Sequence, residues 1–115
     1  MGDFLTKLKW RCIWSWAGTV DAWRNEHSFR SWVWANLVSA ACAFWLLEGG
    51  ELALILALGI LVLAAELMNT ALERAVDLVT KDHHLLAKQA KDAGSAAVAV
   101  TAISAGVAWV VVLFA

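Results

Sequence analysis

From Ala93 to Ala115 the chain carries no charged side chain. A run of that length is enough for a helix to cross a bilayer, which takes about 20 apolar residues. Residues 31–47 are also free of charge, and 52–72 are interrupted only by Glu66. The chain is 62% hydrophobic and 17% charged. Soluble domains run at about 45–50% and about 25%. A soluble chain of 115 residues has too little interior to hide that excess, so its expected solvent is lipid. Such composition also excludes disorder. Nine Lys/Arg against ten Asp/Glu exclude the basic surplus of a nucleic-acid binder. With no proline, long unbroken helices are allowed.

The charges divide the chain into parts. Residues 3–30 alternate charged groups with Phe4, Leu5, Leu8, Ile13, Trp16, Val20 and Trp23 at roughly helical spacing. This predicts an amphipathic helix in the membrane interface, where the tryptophans of this segment are at home. Three spans follow, at 31–47, 52–72 and 93–115, separated by the acidic turn Glu48-Gly49-Gly50-Glu51 and by a polar stretch, 74–92. The small residues of the last span allow close helix contact. Every Lys and Arg lies before the first span or between the second and third. The positive-inside rule then places the N-terminus and the 74–92 loop in the cytoplasm and the C-terminus on the far side. Cys12 and Cys42 have no motif spacing and read as small buried or lipid-facing residues. The early apolar stretch has no signal-peptide cleavage pattern.

An ionisable residue inside a span is costly unless it is paired or faces a cavity, which makes Glu66 the first functional candidate. On a helix, Glu66, Glu73 and Asp77 fall at about 0°, 340° and 20°, with Asn69 at about 300°. This stripe runs from within the membrane to its surface. Glu66 and Glu73 are about 10 Å apart along the axis, too far to share one metal ion. The deeper carboxylate suits something held by lipid, the shallower one something from water, such as a metal–phosphate. Structural alternatives stand beside this reading. Glu73 and Asp77 could be solvated or paired with Arg74, Arg30 or Lys81, Glu66 and Asn69 could be packing glue, and Glu26 could be an ordinary polar-face residue. A lone membrane carboxylate would also serve a small ion- or drug-translocating subunit. No P-loop or protein-kinase motif is present.

The segment Glu66-Leu-Met-Asn69-Thr70-Ala-Leu-Glu73-Arg-Ala-Val-Asp77, followed by Ala90-Lys91-Asp92-Ala-Gly94-Ser95-Ala96-Ala97-Val98, closely resembles the prokaryotic diacylglycerol kinase family. Trp23-Arg-Asn25-Glu26-His-Ser-Phe29-Arg30 is similar to that family's N-terminal element. The resemblance implies an all-α membrane protein with three transmembrane helices and an N-terminal amphipathic interfacial helix, assembled as a homotrimer in the bacterial inner membrane. It implies transfer of the γ-phosphoryl of MgATP to a lipid hydroxyl. Glu66 is then the expected general base, and Glu26 and Glu73 the expected ligands of Mg²⁺. Lys91, Asp92, Asp82, His83 and His84 are expected at the nucleotide. Lys7 and Trp14 join them, standing where the family has an arginine and a tyrosine. Asn69, Ser95 and Trp23 are expected, with Glu66, at the lipid. Gly94-Ser95-Ala96-Ala97 is more like the diacylglycerol branch, whereas Leu78-Val-Thr-Lys-Asp-His-His84 is similar to members that act on undecaprenol. Diacylglycerol is the expected substrate and undecaprenol the alternative.

Overall fold

The computed structural model describes the whole chain, Met1–Ala115. It is entirely helical: α1 spans Gly2–Asn25, α2 His27–Leu46, α3 Gly49–Val79 and α4 Leu85–Phe114. The Cα radius of gyration is 17.1 Å, against about 13 Å for a compact globule of similar length. The chain is flat, 47 × 45 × 24 Å. α3 and α4 pack along much of their length, α2 lies against α3, and α1 touches the others only sparingly.

The expected single helix over 3–30 is two helices. The break falls at Glu26, whose backbone is extended (φ −117°, ψ 107°). Arg30, in the first turn of α2, explains why the break holds. Its Nη1 donates to the carbonyls of Trp23 (2.6 Å) and Arg24 (3.1 Å). A guanidinium thus satisfies carbonyls that the end of α1 leaves open and opposes the negative pole of its dipole. Phe29 is buried beside this corner.

The turn between α2 and α3 is as tight as its sequence predicts. Gly49, at φ 60°, is the one residue in the left-handed region, where a Cβ would be strained. The polar stretch 74–92, expected as a loop, is mostly helix. α3 continues to Val79 and α4 begins at Leu85, leaving Thr80–His84 as connector. His84 Nδ1 accepts from the Leu86 amide (3.1 Å) and so caps α4. With no proline or glycine in 74–92, nothing stops the helices where their apolar character ends.

Two helices, α3 and α4, are long and apolar enough to cross a membrane. α2 falls short of that measure, with Ser31, Asn36 and Ser39 along it. Its polar groups are spent inside the protein. Trp109 Nε1 of α4 donates to Ser39 Oγ (2.9 Å), and Asn36 Nδ2 donates to the Trp32 carbonyl (3.2 Å). The Asn36 side chain lies against Gly59 of α3, where any Cβ would collide with it.

Only 10 of 115 residues are buried, and the one core cluster is Ala43, Ile55 and Ala108. Val100, Ile103, Val107, Val110 and Phe114 of α4 are exposed, as are Trp10, Trp14 and Trp16 of α1. Apolar helices that are not the core of the chain itself need lipid or other copies around them. Cys12 and Cys42 are free thiols on this exposed surface.

Candidate active site at the corner of the first two helices

Glu66 is 4% exposed, the most buried charged residue of the chain. One partner meets it. Ser28 Oγ, from the first turn of α2, donates to Glu66 Oε1 at 2.5 Å. The bond joins residues 38 apart and ties the α1–α2 corner to the deep end of the carboxylate stripe. Oε2 makes no hydrogen bond and is not sealed off. Thr70, one turn on, is buried as well.

Asn69 Nδ2 donates to Glu73 Oε1 (3.2 Å), which sets the amide's orientation, since an amide oxygen there would face a carboxylate. Asn69 Oδ1 is consequently buried without a donor. It packs against Gly94 of α4, where a Cβ would run into it. Glycine at 94 thus lets α4 approach α3 at the level of Asn69. Ser95 lies next to it on the exposed surface of α4.

Arg74 reaches back to α1. Nη1 donates to Asp21 Oδ2, and Nη2 donates to Glu26 Oε1 at 3.1 Å. The hydrogen bond from Arg74 holds the Asp21 carboxyl below its usual range, and Asp21 in turn raises the affinity of Arg74 for its proton. Asp21 also accepts from Asn25 Nδ2 (2.8 Å). A cleft of about 350 Å³ opens here, lined by Ser15, Thr19, Asp21, Thr70 and Arg74 among others.

At the connector, Lys91 pairs with Asp77 (2.6 Å) and Lys88 with Asp92 (2.5 Å). With Asp82, His83 and His84, the residues Lys88, Lys91 and Asp92 line a second, polar cleft of about 260 Å³. The pairing offered as an alternative for Asp77, with Arg74, Arg30 or Lys81, is not the one formed. Its partner comes from α4.

The expected site residues therefore fall into groups. Glu66, Asn69 and Glu73 share one face of α3, Glu26 is tied to α3 through Arg74, and Asp82, His83, His84, Lys91 and Asp92 share the polar cleft. Trp23 stands at the corner, its ring 6.4 Å from that of Trp34. Lys7 and Trp14 join neither group. Lys7 pairs with Asp3 (3.1 Å), and Trp14 stacks at an angle on Trp10 (6.3 Å between ring centres). Ser28, Asp21 and the tertiary role of Arg74 escaped sequence reasoning. Only the position of Ser28 inside the Glu26–Arg30 element hinted at it.

No three Cys, His, Asp or Glu side chains of the chain converge on one point. Glu73 and Glu26 nonetheless fit a hard cation that arrives on phosphate, because Mg²⁺ keeps its waters and uses one or two protein carboxylates.

The sequence profile of the prokaryotic diacylglycerol kinases matches residues 13–113. The chain belongs to that family. It is 45% identical over 100 residues to the diacylglycerol kinase of Pseudomonas aeruginosa, covering 84% of this chain and 80% of that protein. Similarity to the diacylglycerol kinase of Escherichia coli K12 is 37% over 101 residues, 87% of this chain and 83% of the relative. A shorter match, 60% over 38 residues, joins it to the undecaprenol kinase of Bacillus subtilis, covering 33% of this chain and 31% of that one. Membership of a lipid kinase family replaces the translocating-subunit reading, which gave Glu26, Glu73 and Lys91 no task.

Proposed function

We propose that this chain transfers the γ-phosphoryl of MgATP to the hydroxyl of diacylglycerol, giving phosphatidic acid and ADP. The observation that carries the reading is Glu66. It is a buried carboxylate with one oxygen held by Ser28 and the other free, in a chain similar to diacylglycerol kinases over most of its length.

In this reading Glu66 Oε2 takes the proton of the lipid hydroxyl as its oxygen attacks the γ-phosphorus and the bond to the β-phosphate oxygen breaks. Ser28 keeps the other oxygen occupied, so the carboxylate presents a single basic edge. Glu73, oriented by Asn69, and Glu26 hold the divalent cation. When bound, Mg²⁺ supplies neutralisation of the phosphate charge. Lys91 and Asp92 meet the nucleotide with Asp82, His83 and His84, and Ser95 and Trp23 flank the lipid. Lys7 and Trp14 reach the nucleotide from a neighbouring copy, a reading supported by their not lining the polar cleft of their own chain.

The chain works as a homotrimer in the bacterial inner membrane. The scarcity of buried residues and the exposed apolar faces of α3 and α4 support assembly. α2 serves as the first span. Its 20 residues reach about 30 Å, the thickness of the hydrocarbon core. α1 lies along the cytoplasmic interface, the Thr80–His84 connector faces the cytoplasm, and the C-terminus faces the opposite side.

Undecaprenol is the second substrate reading, favoured by the short, high-identity match to the Bacillus enzyme. Both are tested by labelled γ-phosphate transfer in mixed micelles, with the two lipids side by side and Glu66→Gln as control. Preference for diacylglycerol, lost in the variant, is expected. Preference for undecaprenol overturns the substrate, and an active Glu66→Gln protein overturns the base.

A further inference from the structure

Arg74 holds one of the two carboxylates assigned above to the cation. It follows Glu73 in sequence, and its Nη2 is bonded to Glu26. Its other arm is on Asp21, a residue with no place in the transfer. A guanidinium presents donors in a rigid fork and can bridge two carboxylates that a lysine could not. Here the fork joins Asp21, near the end of α1, and Glu26, at the break after it, to one position on α3. All three side chains are partly exposed, and exposed ion pairs are weak enough to exchange.

We propose that Arg74 is a positioning residue with two holds: through Asp21 it ties α1 to α3, and through Glu26 it balances that carboxylate until a divalent cation displaces it. Asp21 then retains the released guanidinium, so the corner stays closed while Glu26 changes partner. Without Arg74, Glu26 would wait for the cation as an uncompensated charge and would bind it more readily. Without Asp21, both arms of Arg74 would be free for Glu26, and the cation would meet a stronger competitor. Arg74 thus sets the cation concentration at which the site fills and keeps it empty when metal is scarce.

This inference rests on the assignment of Glu26 as a metal ligand, and the test separates the two. The full-length protein in detergent, without nucleotide, is titrated with Mn²⁺, and the free ion is read by electron paramagnetic resonance. Arg74→Gln is expected to bind Mn²⁺ roughly threefold tighter, the size of effect an exposed ion pair exerts on a competing equilibrium. Asp21→Asn is expected to shift binding the opposite way. A corner clamp without competition would weaken binding in both, so tighter binding by Arg74→Gln is the distinguishing result. Unchanged or weaker binding in Arg74→Gln overturns the role of Arg74, provided Glu26→Gln binds more weakly than the parent. If Glu26→Gln binds like the parent, the ligand assignment falls and this inference with it. No saturable binding in any variant overturns it too, because no competition then exists in the nucleotide-free chain. If Arg74→Gln does not fold, Arg74→Lys, which can reach one carboxylate but not bridge two, is titrated in its place: tighter binding supports the proposal, and unchanged or weaker binding overturns it.

Discussion

Ser28 and Glu66 meet at 2.5 Å across the boundary between α2 and α3, a hydroxyl at a helix start donating to a carboxylate in mid-helix. A hydrogen bond to a charged group contributes about 1.5–3 kcal/mol. Ser28→Ala is therefore expected to lower kcat for lipid phosphorylation by about tenfold, equivalent to ~1.4 kcal/mol of barrier. Ser28→Thr, which keeps the hydroxyl, should recover most of it. Transfer assays at saturating lipid and ATP check this, and an alanine variant with parental kcat would mean that the bond only joins the helices.

Glu73 and Asp77 lie one turn apart on α3 but have different partners. Glu73→Ala is expected to raise the Mg²⁺ concentration needed for half-maximal activity by about 10- to 100-fold, as loss of metal-site groups does. Asp77→Ala releases only the partly exposed pair with Lys91, worth about 0–1 kcal/mol. Its effect should stay below about fivefold and fall on the KM for ATP. Equal Mg²⁺ dependence in the two variants would remove the division of labour by depth.

Much of this was legible in the sequence. The charge-free runs marked the long helices, and the spacing of Glu66, Asn69 and Glu73 put them on one face. The break at Glu26 was not legible, because apolar residues continue at helical spacing through it and no glycine or proline marks it. What decides it is Arg30 reaching back over the corner, a contact between helices. Arg74 was hidden for the same reason. Local spacing offers it Glu73 and Asp77, yet the carboxylates it uses come from α1 and from the break after it. Lys91 likewise finds Asp77 only because α4 returns alongside α3.

Gly94 supports Asn69 by leaving room for it. Gly94→Ala forces Asn69 or α4 to move, and overpacking of that kind costs about 1–3 kcal/mol. Thermal unfolding in detergent should show the loss, together with reduced transfer as Glu73 loses its orienting amide. Ser95→Ala, at the exposed neighbouring position, should unfold at the parental temperature. A parental midpoint for Gly94→Ala would show that α4 is not held this closely.

The link between Asp21 and Arg74 has a pH dependence of definite sign. The carboxyl of Asp21 titrates below its ordinary value of 3.8 because Arg74 donates to it. A depressed folded value means that the tie is fully present above the ordinary carboxylate range and is lost as pH falls below 3.8 through the folded value. Carbon-13 NMR of labelled aspartate should show this carboxyl titrating late. Arg74→Gln should bring it back toward 3.8. A midpoint that does not move would show that the ion pair is not formed in solution.

The thinness of the core has a consequence for handling the molecule. With so few side chains shielded by their own chain, nearly every apolar residue of α3 and α4 is in contact with its surroundings. Bilayer thickness, detergent tail length or lipid composition thus acts on this protein as a set of simultaneous substitutions would act on a soluble one. The host membrane and neighbouring copies together supply most of the packing, so activity and unfolding measured in one amphiphile characterise the protein and that amphiphile as a pair.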